Sequence, residues 1–567
     1  MPGSVYRSEH ARRSSEPSQA AAPEPAAEAP LPEEAGSAAG HSAVMALGSL
    51  VSRLTGFLRT VIIAAALGST LVGNSYTTAQ YFPGMVYELL LGGILTSVLV
   101  PVLVRARKAD PDRGETYTQR LVSLAVLALG ATTVLAVACA PLLAWLVTAD
   151  SENRGVVTAL SYLILPTIFF YGMAGLLTAV LNTRGHFAAP MWAPILNNLV
   201  VIATFGLYIL IFGPEPPTAD TMSAGKVLLA GGGTLLGIVV QACGLAPALR
   251  RVGFRWRWRS DFRALRLREL GRLGAWMFCY VGVNQVSVVV IITLLNRAAS
   301  DSDDPGLLIF NNAFLMMMMA HGIVGVSIIM ALMPRLSSAS ADGRYGDMID
   351  DLSKGARMSA AVLAPIAAAY VALALPVTVT LFQFGAFRLS MAQGMAPVLV
   401  MAGLAVIPFS ISQLTTFAFY ALPDTKTPAL VNIGVVGLRV AVQVAVYAAF
   451  AASLAAAGMM LGNGISFVAA AVVMGWLLRR RLGPLGLRRV GVSVGKVLAA
   501  AVAAGLAAWI VVWLLPGDAA PTKLQGFVQL VAGGTVLCGT YLGLAVLLRI
   551  REVNEVLDLV RGKLLRR

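Results

Sequence analysis

The stretch SRLTGFLRTVIIAAALGSTLVGNSYTTAQYFPGMVYELLLGGILTSVLVP, Ser52–Pro101, decides the fold. It reads as two apolar membrane spans and sets Arg53, Arg59 and Glu88 among residues suited to lipid. A charge at mid-bilayer costs ~2.5–3.5 kcal/mol on insertion scales, so such residues face a partner or a wet hollow. Arginine's planar fork holds two phosphate oxygens at once. The expectation is a central cavity in which Arg53 and Arg59 receive an anionic lipid headgroup. Six residues separate them, about 120° around a helix, which rules out one narrow stripe but suits a wide wall. Gly56 between them leaves room for a headgroup. The plainer reading of Arg53 is snorkelling to the membrane surface.

Composition agrees with this class. Of 567 residues, 57% are hydrophobic and 13% charged, and the mean hydropathy is +0.76. Soluble domains carry about 25% charged residues. Apolar runs of about 20 residues recur from Ala43 onward, about fourteen of them, each able to span a bilayer as a helix. A membrane β-barrel would show ~10-residue alternating segments instead. The net charge of +15 would suggest nucleic acid in a soluble chain. Here Lys and Arg gather in loops on one side, the mark of a cytoplasmic face. Cys139, Cys243, Cys279 and Cys538 lie singly in apolar runs and read as packing residues.

Along the chain, residues 1–40 are rich in Ala, Pro, Glu and Ser and are expected to form a disordered cytoplasmic tail. Residues 41–250 hold six expected spans, with basic loops (Arg105 to Arg120) alternating with acidic ones (Asp150, Glu152; Glu215, Asp220). The segment RRVGFRWRWRSDFRALRLRELGRLG follows, and 251–272 is expected to be an amphipathic interfacial linker, with Asp261 as an N-cap. Residues 273–482 hold six more spans, and 483–550 a final pair before a basic cytoplasmic tail, 551–567. An even number of spans places both termini on the basic side.

Other polar residues lie within apolar runs. Glu88 is expected either to pair with one of the first-span arginines or to act as a protonatable gate, with Pro83-Gly84 loosening its helix. Asn284, Gln285 and Ser287 form a polar cluster on the seventh span, suited to interhelical hydrogen bonds or to substrate. Arg439 and Gln443 share a face of the eleventh span. His321, beside Met316–Met319, is a candidate proton relay. No enzyme signature appears: Gly231-Gly232-Gly233 opens a span and is not a phosphate loop. No cofactor or metal is expected.

Six stretches carry a family resemblance: SRLTGFLR (Ser52–Arg59), VPVL (Val100–Leu103), LNTRGHFAAPMWAPILNN (Leu181–Asn198), GIVGVSIIMALMPRLS (Gly322–Ser337), LFQFGAF (Leu381–Phe387) and FYALPDTKTP (Phe419–Pro428). In this order the chain resembles the MurJ/MviN lipid II flippases of the multidrug/oligosaccharidyl-lipid/polysaccharide (MOP) exporter superfamily, with the look of an actinobacterial branch. The resemblance implies an all-α polytopic membrane protein with about fourteen transmembrane helices. Two six-helix lobes would surround a central cavity, with a C-terminal helix pair beside them. It implies transport, by alternating access, of the undecaprenyl-pyrophosphate-linked peptidoglycan precursor lipid II from the inner to the outer leaflet of a bacterial plasma membrane. Arg53 and Arg59 match the family's first-span cavity arginines. The sequence departs from the pattern at Asn74, Tyr87-Glu88, Leu315 and Met318.

The expected substrate-contacting set is Arg53, Arg59, Asn74, Glu88, Asn284, Gln285 and Ser287, with Arg439, Gln443 and His321 as pathway or coupling candidates. Expected partners are lipid II, membrane lipids and cell-wall synthesis or division proteins, without nucleic acid. The alternatives are an exporter of another lipid-linked glycan or amphipathic compound, and a non-transporting cell-wall scaffold.

Overall fold

The computed structural model describes residues 32–89, 103, 106–107, 111–148, 151–265, 267–301, 306–515 and 521–554. Residues 1–31, most of the VPVL stretch, Asp303, Asp304 and residues 555–567 lie outside them. Every described regular element is helical, as a lipid-embedded backbone without water partners requires.

The first lobe runs through α1 (Pro32–Leu67), α2 (Leu71–Glu88), α3 (Glu115–Ala138), α4 (Ala140–Val147), α5 (Ser151–Ile164), α6 (Thr167–Thr183), α7 (Ala188–Phe212), α8 (Ala224–Cys243) and α9 (Ala246–Arg251). The second holds α10 (Leu267–Asp301), α11 (Leu307–Ala341), α12 (Tyr345–Ala372), α13 (Ala374–Phe382), α14 (Leu389–Ala421), α15 (Lys426–Ala449) and α16 (Ala455–Leu482). A pair, α17 (Leu487–Leu514) and α18 (Lys523–Leu547), packs beside it. Thirteen helical segments of the described residues are long and apolar enough to cross a membrane. With α2, the described part of the expected second span, they agree with about fourteen helices.

The lobes repeat one plan. The third span of each is broken near its end, at Cys139 in the first and Leu373 in the second. A proline follows each break, Pro141 or Pro376, where it cannot continue the preceding hydrogen-bond ladder. Pairing repeats too: α7 packs on α1 and α8, as α15 packs on α10 and α16. The terminal pair joins through small residues. Ala500, Ala501, Ala504 and Ala508 of α17 are buried, and Gly505 lies over Ala368 and Ala372 of α12. Small side chains let backbones approach where lipid supplies no hydrophobic drive.

Two boundaries differ from those the sequence suggests. α1 already begins at Pro32, inside the segment read as a tail. The linker is a strap without regular secondary structure over residues 254–261, with one 3-10 turn at Phe262–Leu265, and residues 267–272 already belong to α10. Hydrogen bonds to α3 hold the strap: Trp256 Nε1 and the Arg259 amide both donate to Ser123 Oγ, and Gln119 donates to Arg255 O. Arg120 pairs with Asp261 and holds its carboxyl below the usual range. α2 runs through Pro83 without ending, as the expected second span does.

Candidate functional site: a cation-lined hollow between the lobes

The lobes meet where α1 ends, α2 and α11 begin, and α10 and α13 end. Ala386 N donates to Ala65 O at 2.7 Å, Ser69 N to Met391 Sδ at 3.2 Å, and Leu308 N to Asn74 Oδ1 at 3.0 Å. Asn296 Nδ2 donates to Thr78 Oγ1 at 3.0 Å and to Val147 O at 3.1 Å. One turn deeper, Tyr81 donates to Asn311 Oδ1 at 3.1 Å. Below this seal the lobes part around two hollows that share Tyr81, Gly84 and Met318 in their walls.

The first hollow, about 400 Å³, brings Arg53 and Arg59 together despite their angular separation. Asn198 of α7 organises this wall. Its Nδ2 donates to Ser52 O (3.2 Å) and Thr55 Oγ1 (3.0 Å), leaving Oδ1 to accept from Arg59 Nη1 at 3.5 Å. Arg59 Nε is buried without a partner. Arg53 is half-buried beside Gly322 and has no hydrogen-bond or ion-pair partner among the described residues. An orphaned buried donor costs about 1–3 kcal/mol, more when charged, which an incoming anion relieves. Gly84 lines the hollow too, and no side chain or neighbouring helix comes within 4 Å of the position its Cβ would take.

The second hollow, about 530 Å³, is lined by Glu88, Asn284, Gln285 and Arg439 among others. Arg439 Nε donates to Ser466 Oγ at 2.9 Å, Nη1 reaches Asn284 Oδ1 at 3.5 Å, and the guanidinium lies 5.2 Å from the Phe467 ring centroid. These partners are neutral. Among the described residues, the two hollows thus hold three arginines against one carboxylate, Glu88, and none of these arginines has a carboxylate partner.

Several candidates lie elsewhere. Asn74 is buried at the seal, where its side chain satisfies the Leu308 amide in the first turn of α11, so it is not part of the cavity wall. Ser287 is fully buried away from both hollows. Gln443 is fully buried too, donating to Met459 O and Asn463 Oδ1. His321 is enclosed, with Nδ1 2.8 Å from Ser410 Oγ and its ring edge-on to Phe409. Glu88 makes no ion pair with Arg53 or Arg59; it is exposed in the second hollow. Leu315 lines the first hollow and Met318 both, so apolar side chains stand at the two positions where the resemblance leads one to expect charge. Asn198, Tyr81 and Asn311 escaped the sequence reading. Their signal was a polar residue deep in an apolar span, a pattern shared with many packing residues.

Two repeated helical lobes around a cation-lined hollow, sealed at one end, define a transporter of the MOP type. The family model described as Lipid II flippase MurJ matches residues 63–517. The chain belongs to that family. It is 26% identical over 504 residues to the lipid II flippase MurJ of Burkholderia cenocepacia, covering 87% of each chain. It is 26% identical over 481 residues to a probable lipid II flippase MurJ of Synechocystis sp., covering 82% of this chain and 85% of that protein. A solved lipid II flippase MurJ in an inward closed conformation superimposes with a TM-score of 0.69 at 16% identity, covering 89% of this chain and 98% of that one. An inward-facing MATE family transporter of the MOP superfamily gives 0.61 at 15% identity, covering 76% and 95%.

Proposed function

We propose that this protein flips lipid II from the inner to the outer leaflet of a bacterial plasma membrane by alternating access of its two lobes. The observation that carries the reading is the pair Arg53 and Arg59, held in one hollow with guanidinium donors unspent. A pyrophosphate offers the acceptors these forks lack, through charge-assisted bonds about twice as strong as neutral ones. Asn284, Gln285 and Arg439 supply further polar contacts for the sugar-peptide portion.

Orientation follows from charge. Arg250, Arg251, Arg335, Arg344 and Arg479–Arg481 lie at the helix ends opposite the seal. By the positive-inside rule that end is cytoplasmic, as are both termini. The hollow then opens inward, ready to load, and the seal at Asn74, Asn296 and Ala386 is the outer gate. Rocking of the lobes would break it and deliver the headgroup outward while the polyprenyl tail stays in lipid. The membrane potential favours outward movement of an anion by ~2.3 kcal/mol per charge per 100 mV. Cell-wall synthesis or division proteins are the partners such an activity would serve.

The test is purified protein in liposomes with labelled lipid II. Arg59→Ala should abolish flipping while leaving insertion intact, and Arg59→Lys should recover only part, because an ammonium cannot bind two oxygens in a plane. Normal flipping by Arg59→Ala would remove the arginine's role. Equal transport of an unrelated lipid-linked glycan would favour the broader exporter.

A further inference from the structure

A second cationic hollow, outside the central cavity, lies at the helix ends opposite the seal. It occupies about 810 Å³ between the end of α16, the start of α17 and the chain following α18. Its walls carry Arg479, Arg488, Arg489, Lys496, Arg549 and Arg551, and Arg357 of α12 forms its floor. Among the described residues the single carboxylate lining it is Glu552.

The floor is built. Arg357 Nε donates to Glu552 Oε1 at 2.5 Å and its Nη1 to Ser353 Oγ at 2.7 Å, while Ser493 Oγ donates to Glu552 Oε2 at 3.2 Å. Both charged side chains are buried, 12% and 8% exposed. Glu552 is therefore spent on Arg357. The wall arginines Arg479, Arg488, Arg489, Arg549 and Arg551 have no carboxylate partner among the described residues. Arg549 sits at φ +53°, a left-handed conformation that a non-glycine residue rarely adopts. The chain turns sharply there, bringing Arg549 and Arg551 onto the same hollow as the α17 residues.

We propose that this hollow binds a phosphodiester, the headgroup of an anionic phospholipid in the adjacent leaflet. Three observations select a lipid over a soluble phosphate. The hollow lies at the membrane boundary, since α16 and α17 are apolar spans ending or starting at Arg479–Leu482 and Arg488. Its wall includes apolar Leu485, Val492 and Ile550, which acyl chains can cover. Arg480 stacks on exposed Trp476 at 3.7 Å next to it, an arrangement suited to the headgroup layer. Basic pockets between membrane helices on the cytoplasmic side are suited to such headgroups. Because Arg357 belongs to α12 of the second lobe, an occupied site ties the terminal pair to a lobe that must move.

The test uses full-length protein in nanodiscs of phosphatidylcholine with increasing phosphatidylglycerol, read as bound phosphatidylglycerol per protein and as thermal shift. The triple variant Arg488→Gln, Arg489→Gln, Arg549→Gln should need roughly tenfold more phosphatidylglycerol for half-saturation. A control triple, Arg255→Gln, Arg257→Gln, Arg259→Gln, changes basic residues on the strap and should shift this little. Equal binding by the test triple and wild type, or equal loss in both triples, overturns the site. Saturation of the same thermal shift by inorganic phosphate or glycerol phosphate in pure phosphatidylcholine overturns the lipid as its source. If the triple unfolds, the single charge reversal Arg489→Glu is read instead, with the same two outcomes. Arg59→Ala should leave this binding unchanged, so the result is separate from lipid II transport.

Discussion

Gly322 of α11 lies directly against the guanidinium of Arg53, with Arg53 Cζ 2.8 Å and Nη2 3.0 Å from where a Cβ on residue 322 would sit. The arginine crosses from the first lobe to rest on bare backbone of the second. Any side chain at residue 322 must therefore push the cation off its seat. Gly322→Ala should lower lipid II flipping roughly 10–100-fold, the scale of a 1 Å misplacement. Thermal stability should change far less. A variant flipping at the wild-type rate would show that the position of Arg53 is immaterial.

Asn198 offers the opposite manipulation, because its Oδ1 already faces Arg59. Asn198→Asp places a carboxylate there, and the arginine acquires the partner it lacks. A hydrogen bond to a charged group is worth ~1.5–3 kcal/mol. If the substrate must displace that bond, affinity for lipid II falls by roughly 10- to 100-fold. Asn198→Ala should weaken binding less while loosening α1 from α7. Tighter binding in the aspartate variant would contradict an anionic guest beside Arg59.

Asn74 is predicted to matter for stability and not for binding. The N-terminal residue before α11, Gly306, has no side chain to cap the helix, and the Leu308 amide is satisfied by Asn74 from α2. Asn74→Ala leaves that amide orphaned, at a cost of about 1 kcal/mol by analogy with lost caps. Melting temperature should fall while the lipid II affinity of the folded protein is unchanged. Lost affinity at unchanged melting temperature would return Asn74 to the binding set.

The sequence made the spans legible because lipid imposes one demand, about 20 apolar residues per crossing, and loop charge gives their sense. It also marked Arg53, Arg59 and Arg439, since an intramembrane cation needs a reason in any fold. It did not separate Asn74, Ser287 and Gln443 from Asn284 and Gln285. A polar residue in an apolar helix looks the same whether it meets a neighbouring backbone or a hollow, and only the packing of other helices distinguishes them. The expected pairing of Glu88 with a first-span arginine failed for a related reason. The nearest charges along the sequence are not its partners in space, and it lines the second hollow together with Arg439.

At the helix ends opposite the seal, Asp424 holds the turn between α14 and α15. It accepts from Thr427 N (3.0 Å), Thr427 Oγ1 (2.8 Å) and Arg481 Nη1 (2.6 Å). Burial opposes its ionisation, but the Thr427 hydrogen bonds and Arg481 outweigh it and hold the carboxyl below its ordinary value. A depressed folded-state pKa gives stability that is complete above the unfolded carboxylate range, about pH 4. That stability is lost as pH falls through the lower folded value. The melting-temperature gap between wild type and Asp424→Asn should be constant from pH 7 to 5 and shrink below about 4. A gap that persists unchanged at pH 3 would mean the carboxylate charge is not what ties this turn.

The motif LFQFGAF acquires a mechanical meaning at the seal. Gly385 has φ +56°, a left-handed conformation suited to glycine, and a Cβ there would collide with the Ala65 carbonyl of α1. That carbonyl is also the acceptor for Ala386 N at 2.7 Å, one of the bonds joining the lobes. A side chain at residue 385 therefore acts against the sealed state twice, by backbone strain and by separating donor from acceptor. The open state makes no such contact if the lobes part here, so Gly385→Val should shift the population toward it. Spin labels at the exposed Leu47 and Met330, at the other end of the helices, should then show a shorter-distance population as that end closes. Flipping should fall, because alternating access needs both states within reach of thermal energy. An unchanged distance distribution with normal flipping would show that this contact is not the gate.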